Sequence, residues 1–148
     1  MIKRLAAGLL FLPWFVFGAV DPLSIKTDSN GNVRLIDGNY QCSYSGIEQN
    51  STRDEKLKGA EIYIEKGEDD TALFIVSFPG GISINPPIAK KAEQTKDTVT
   101  YQSTDDLGNV FLVGLTTKDG VVSALGSKNM ILHASTFISD CQLIRNLE

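Results

Sequence analysis

The chain's two cysteines, Cys42 and Cys141, constrain its fold more than any other feature. Each sits in a segment that reads as a strand, Asn39-Tyr40-Gln41-Cys42-Ser43-Tyr44 near one end and Ser139-Asp140-Cys141-Gln142-Leu143-Ile144 near the other. Two cysteines in an exported chain read as a disulfide, and two allow a single intramolecular pairing. Such a bond would tie the first part of the fold to the last. Closing a loop of about 100 residues contributes up to roughly 4.7 kcal/mol in the chain-entropy model, with 2–4 kcal/mol more typical. A pair of free buried thiols is the alternative. A metal centre needs more ligands than two cysteines and the single distant histidine, His133, supply.

Export is read from the N-terminus. Met1-Ile2-Lys3-Arg4 is a short basic head, followed by an apolar run from Leu5 to Val20 and then Asp21-Pro22. That is the layout of a secretory signal. The run falls short of the roughly 20 residues that a membrane-spanning helix needs, and Pro13 interrupts it. Residues 1–19 are therefore expected to be a cleaved signal peptide, cut after Gly18 or Ala19, and residues 20–148 a single domain. A retained anchor is the alternative. Cleavage removes Lys3 and Arg4, so 14 basic residues become 12 against 18 acidic ones, and the net charge moves from −4 to −6. An acidic domain is poorly suited to neutralising phosphates, which speaks against nucleic acid. It suits a cationic protein partner reached by electrostatic steering. The expected location is periplasmic or secreted, with no membrane span after signal removal.

The remaining chain alternates short apolar-polar runs with Gly, Asn and Asp turns. Pro22 to Thr27 reads as an extended arm, Asp28-Ser29-Asn30-Gly31-Asn32 as a tight turn, and Val33 to Ile36 as a short strand. The turn is not read as a calcium loop, because its glycine falls at the fourth position and Asn39 stands where a bidentate glutamate belongs. Asn39 to Ser45 is a strand. Gly46 to Gly59 is polar and reads as a loop, with an Asn50-Ser51-Thr52 sequon that matters only in a eukaryotic host. From Ala60 to Lys66, Ile62 and Ile64 face one way and Glu61, Tyr63 and Glu65 the other, which marks a half-buried strand. Gly67-Glu68-Asp69-Asp70 then turns into Thr71 to Phe78. Thr98–Thr104, Val110–Thr117, Val121–Leu125 and Met130–Ile138 form a meander, and the apolar phase afterwards shifts to Cys141 and Leu143. That shift predicts a bulge or bend at Ser139-Asp140 before a final short strand. About eight or nine short strands with little helix predict an all-β fold: a single small antiparallel barrel, with a sandwich as the alternative. Linking an early strand to the last one favours the barrel, where first and last strands meet.

Residues 78–97 break the rhythm. Pro79-Gly80-Gly81 is followed by Ile82 and Ile84 in alternation, by Asn85-Pro86-Pro87, and by Ile88-Ala89-Lys90-Lys91-Ala92-Glu93-Gln94, which is expected to make a helical turn or two. A loop this long in a compact domain is functional or mobile. Rigid prolines beside isoleucines and a Lys-Lys pair suit a surface that contacts a partner. Ile82, Ile84, Pro86, Pro87, Ile88, Lys90 and Lys91 are the candidate contact residues, and a segment that simply caps the core is the alternative.

Catalytic signals are weak throughout. His133 lies in a strand beside Ser135 and Thr136, but no Gly-x-Ser-x-Gly elbow presents a nucleophile, and adjacent strand positions face opposite ways. Gly80-Gly81 lacks the lysine and helix of a phosphate loop. Asp69-Asp70, adjacent in a turn, is not a pair known to flank a substrate. The chain is read as a non-enzyme without cofactor or metal.

Tyr40-Gln41-Cys42 and Asp140-Cys141-Gln142-Leu143 resemble the cysteine-bearing first and last strands of the periplasmic c-type lysozyme inhibitors. The resemblance implies a small antiparallel barrel closed by such a disulfide, with Cys42 and Cys141 as its structural residues. The family's inhibitory segments, Ser-Gly-Ala-Arg-Tyr and Phe-Trp-x-Lys-Gly, have no counterpart here, and the only tryptophan is Trp14 in the expected signal. No inhibitory residue is therefore carried over. Three functional readings follow. The first is an exported cell-envelope module that binds a protein, inhibitor- or immunity-like, with its acidic surface and residues 78–97 as the contact. The second is a carrier of a small apolar ligand in a lumen lined by Phe74, Val76, Phe111 and Val113. The third is a structural envelope accessory with no discrete ligand.

Overall fold

A computed structural model describes residues 25–47, 56–126 and 135–148; the expected signal, Asn50 and His133 lie outside the described residues. The described chain is all-β. Its strands are β1 (Lys26–Thr27), β2 (Val33–Arg34), β3 (Gly38–Ile47), β4 (Leu57–Lys66), β5 (Thr71–Phe78), β6 (Ile82–Ile84), β7 (Ala89–Gln94), β8 (Thr98–Thr104), β9 (Val110–Thr116), β10 (Gly120–Gly126) and β11 (Ser135–Asn146). The main sheet runs β4-β3-β11-β10-β9-β8-β7-β5, and β5 returns to pair with β4, so eight antiparallel strands close a barrel. β6 adds to β5, and β1 and β2 form a separate hairpin.

Period-two alternation builds the interior. Ala60, Ile62 and Ile64 of β4, Ala72, Phe74 and Val76 of β5, and Phe111, Val113 and Leu115 of β9 all point inward and are buried. Apolar burial on this scale is the main driving force of the fold. Cys42 and Cys141 form a disulfide between the neighbouring strands β3 and β11. The predicted bulge is present: the β11 register slips between Ser139 and Gln142, and Asp140 adopts a left-handed φ of 55°. The chain does not break there, however, and β11 continues as one strand to Asn146.

One end of the barrel is covered by the segment leading into β3. Val33, Leu35 and Ile36 are almost wholly buried, so the expected strand over Val33–Ile36 shortens to two residues and its second half becomes a plug. An ionic cluster seals this plug. The Glu148 carboxylate accepts from Lys26 Nζ (3.1 Å), from both terminal nitrogens of Arg34 (2.7 and 2.8 Å) and from Lys66 Nζ (2.8 Å). Lys66 also reaches the Leu35 carbonyl and Asp37. Burial pushes the Glu148 carboxyl up, but the hydrogen bonds from Arg34, Lys66 and Lys26 outweigh it and hold the group well below the usual carboxylate range.

Two turns share one construction. Asp28 Oδ1 accepts the N–H groups of Asn30 and Asn32, and Gly31 donates to the Asp28 carbonyl. Asp105 does the same with Leu107, Asn109 and Gly108. The carboxylates of both loops are thus spent on turn geometry. Asp69 and Asp70, adjacent acids in the β4–β5 turn, take left-handed φ values of 55° and 59° as its central residues.

Three other expectations are corrected. The Pro22–Thr27 arm ends in a strand, because Lys26–Thr27 pairs with β2. The Gly46–Gly59 loop is shorter, since β3 continues to Ile47 and β4 begins at Leu57. The helical turn over residues 88–94 is a strand, β7, because those residues close the barrel between β5 and β8. Local helix propensity amounts to a few tenths of a kcal/mol per residue here, less than two ladders of hydrogen bonds and the burial of Ala89.

Candidate functional site

The site is built on an interrupted strand. β6 and β7 lie along the same edge of β5, through Val76↔Ile84, Ser77↔Ser83 and Phe78↔Ile82 for β6, and Thr71↔Lys90 and Ala72↔Ala89 for β7. The two ladders are almost in phase, with residues 85–88 crossing the interval that residues 73–75 span on β5. Pro86 and Pro87 explain the break. Neither has an N–H to donate, and consecutive prolines cannot sit inside a sheet paired on both sides.

The seven candidate contact residues fall into two groups. Ile82 (64 % exposed), Ile88 (66 % exposed), Pro87 and Lys90 face solvent. Ile84 packs partly against the core, Pro86 is buried, and Lys91 is held in place. The Lys91 ammonium donates to Asp70 Oδ1 (2.5 Å) and Gln94 Oε1 (2.9 Å), and its backbone N–H donates to the Asp70 carbonyl. The hydrogen bond to Asp70 raises the Lys91 pKa, so this lysine works as a clasp across the β5–β7 seam. Lys90, its neighbour, makes no ion pair among the described residues.

The break extends to the next strand. The β7–β8 ladder ends at Lys90↔Gln102, so Ser103 and Thr104 pair with β9 on one side and have no ladder partner on the other among the described residues. Here the wall opens into a shallow groove of about 450 Å³ whose lining includes Pro87, Ile88, Lys90, Gln102, Ser103 and Thr104. Ser103 is only 8 % exposed, and its Oγ has no hydrogen-bond partner among the described residues. The sequence held a signal for it: the inward alternation Val99, Tyr101 continues to position 103, where an apolar residue is the expected choice.

The lining offers hydroxyls, an amide, the ammonium groups of Lys90 and Lys91 and an apolar flank, a set suited to recognition. Among the described residues no group of three or more His, Cys, Asp and Glu side chains is placed to hold a metal ion. The residues assigned to a carrier lumen, Phe74, Val76, Phe111 and Val113, do point inside the barrel. There they belong to the buried hydrophobic core. Among the described residues no helix is long and apolar enough to cross a membrane. No protein-family model, curated protein or solved structure matches the chain.

Proposed function

We propose that this chain is an exported cell-envelope module that binds a protein, inhibitor- or immunity-like, through the surface around the β6–β7 break. The observation that carries the reading is the exposure of Ile82 and Ile88, 64 % and 66 %, on either side of a proline-cut strand. Large apolar side chains presented on rigid backbone provide contact area at little entropic cost. The packed interior weighs the same way, because it favours a surface role over carriage of an apolar ligand. The disulfide fits an oxidising compartment and so supports export.

The test uses the oxidised mature domain as bait in an envelope extract, beside an Ile82→Asp/Ile88→Asp variant of matched melting temperature. A protein retained by the parent and lost by the variant supports the reading; identical capture by both sinks it. A c-type lysozyme lysis assay examines the family resemblance separately. Dose-dependent inhibition would make the module a lysozyme inhibitor, whereas none at micromolar excess would remove that target and leave the binding surface to be matched to another.

A further inference from the structure

We infer that the groove beside the break takes an extended, acidic peptide segment, one that completes the missing ladder on β8 while setting a carboxylate on Lys90. The inference rests on the protein-binding reading and names the chemistry of the partner at that site. Four features of the groove converge on it. Thr104 lies beyond the last β7–β8 pair, Lys90↔Gln102, and so presents backbone groups on a strand edge that β7 does not pair. Ser103, on the inward face of β8 beside the groove, is more than nine-tenths buried, and its Oγ has no partner among the described residues, which leaves a hydroxyl open to a further hydrogen bond. Ile88 and Pro87 form an apolar flank for one side chain of the ligand. Lys90, exposed on the same lining, brings a positive charge that no described carboxylate answers, while Lys91 is already engaged by Asp70.

The mode is strand addition, in which main-chain hydrogen bonds supply affinity and alternate side chains supply specificity. An extended segment of three or four residues spans the edge at about 3.3 Å per residue. The short length of the unpaired edge predicts weak binding, with specificity set by Lys90 and Ile88. The charge at this site is opposite in sign to the chain's net acidity, so an acidic segment is attracted locally even though the whole molecule favours cations.

A library of displayed random heptapeptides, panned against the oxidised domain, tests the inference. Enriched peptides should carry Asp or Glu next to an apolar residue, and their addition should shift the amide resonances of Ile88, Ser103 and Thr104. Lys90→Glu should weaken those peptides about tenfold, a charge reversal on an exposed pair. Ser103→Ala should weaken them while leaving the fold at least as stable, a combination that a purely structural serine would not give. Enrichment of basic peptides, resonance shifts confined to other surfaces, or no enrichment over an Ile88→Asp/Lys90→Glu control would each overturn it. Peptides that map to the Ile82 rim would overturn this site and leave the protein-binding reading standing. Capture from the extract that ignores both isoleucines sinks that broader reading whatever the peptides do.

Discussion

Tyr40 lies buried at the start of β3, and its hydroxyl donates to the Ile36 carbonyl over 2.7 Å, pinning the plug to the barrel. Burial, the nearby Glu148 and Asp37 charges behind it, pushes the phenol far above its usual range, so it stays a neutral donor. Tyr40→Phe keeps the ring and orphans the carbonyl; a loss of about 1–2 kcal/mol is expected, read as a lower urea midpoint at unchanged slope. Glu148 acts at the same end. Its folded pKa lies below the ordinary value of 4.5, so the folded state binds fewer protons than the unfolded one as the medium is acidified. Its contribution is complete above about pH 4.5 and is lost as the pH falls toward the lower folded value. Glu148→Gln should therefore lower stability near neutrality by about 1–3 kcal/mol. The gap between parent and variant should narrow on acidification, and a gap that widens instead would show that the charge is not what holds the plug. Ser103→Ala should have the opposite sign, raising the melting temperature by removing a buried hydroxyl that has no partner among the described residues.

At the scale of elements, pattern was legible where one face of a strand is buried, and composition misled where closure decides. Ile62 and Ile64 against Glu61 and Glu65 declare β4, and the phase shift after Ile138 locates the β11 bulge, because a slip of one residue turns every side chain to the other face. Ala89 to Gln94 had only local propensity to offer, and that propensity is helical. Its strand state is imposed by β5 and β8, which lie far away in sequence. The contact residues were half legible for a similar reason. Prolines and isoleucines marked the segment, but the other wall of the groove, Gln102 to Thr104, depends on where a neighbouring ladder stops. Gly114 shows the same kind of long-range demand. It sits inside β9, where an added Cβ would meet the Val99 carbonyl oxygen at 2.7 Å and Thr100 Cγ2 at 3.0 Å. Backbone on the facing strand cannot step aside as a flexible side chain would. Gly114→Ala is accordingly expected to destabilise the barrel by about 1–3 kcal/mol, although alanine is a modest change elsewhere in a sheet. Thermal melting of the single variant checks it, and an unchanged transition would mean that β8 and β9 can separate locally.

The barrel as a whole closes at seams of unequal strength. β3 and β11 pair along nearly the full length of both strands, from Ser135↔Ile47 to Asn146↔Gly38, with the disulfide inside that ladder. β5 and β7 meet only at Thr71↔Lys90 and Ala72↔Ala89, reinforced by the Lys91 clasp on Asp70. The covalent bond therefore lies in a long seam, and its contribution should come mainly through the unfolded chain, where it closes a loop across a separation of 99 residues. Replacing both cysteines, Cys42→Ser with Cys141→Ser, should lower stability by about 2–4 kcal/mol and leave a folded barrel. Native-state hydrogen exchange separates this account from one in which the disulfide holds the barrel shut. Among the paired strands, amides of Thr71, Ala72, Ala89 and Lys90 should open first in the oxidised protein, and they should open first in the double variant as well. If the variant instead loses protection first along β3 and β11, the disulfide is the closure itself. A seam that opens at β5–β7 adjoins the groove, so a peptide seated on β8 should slow exchange there, which ties the easiest opening of the fold to the surface proposed for binding.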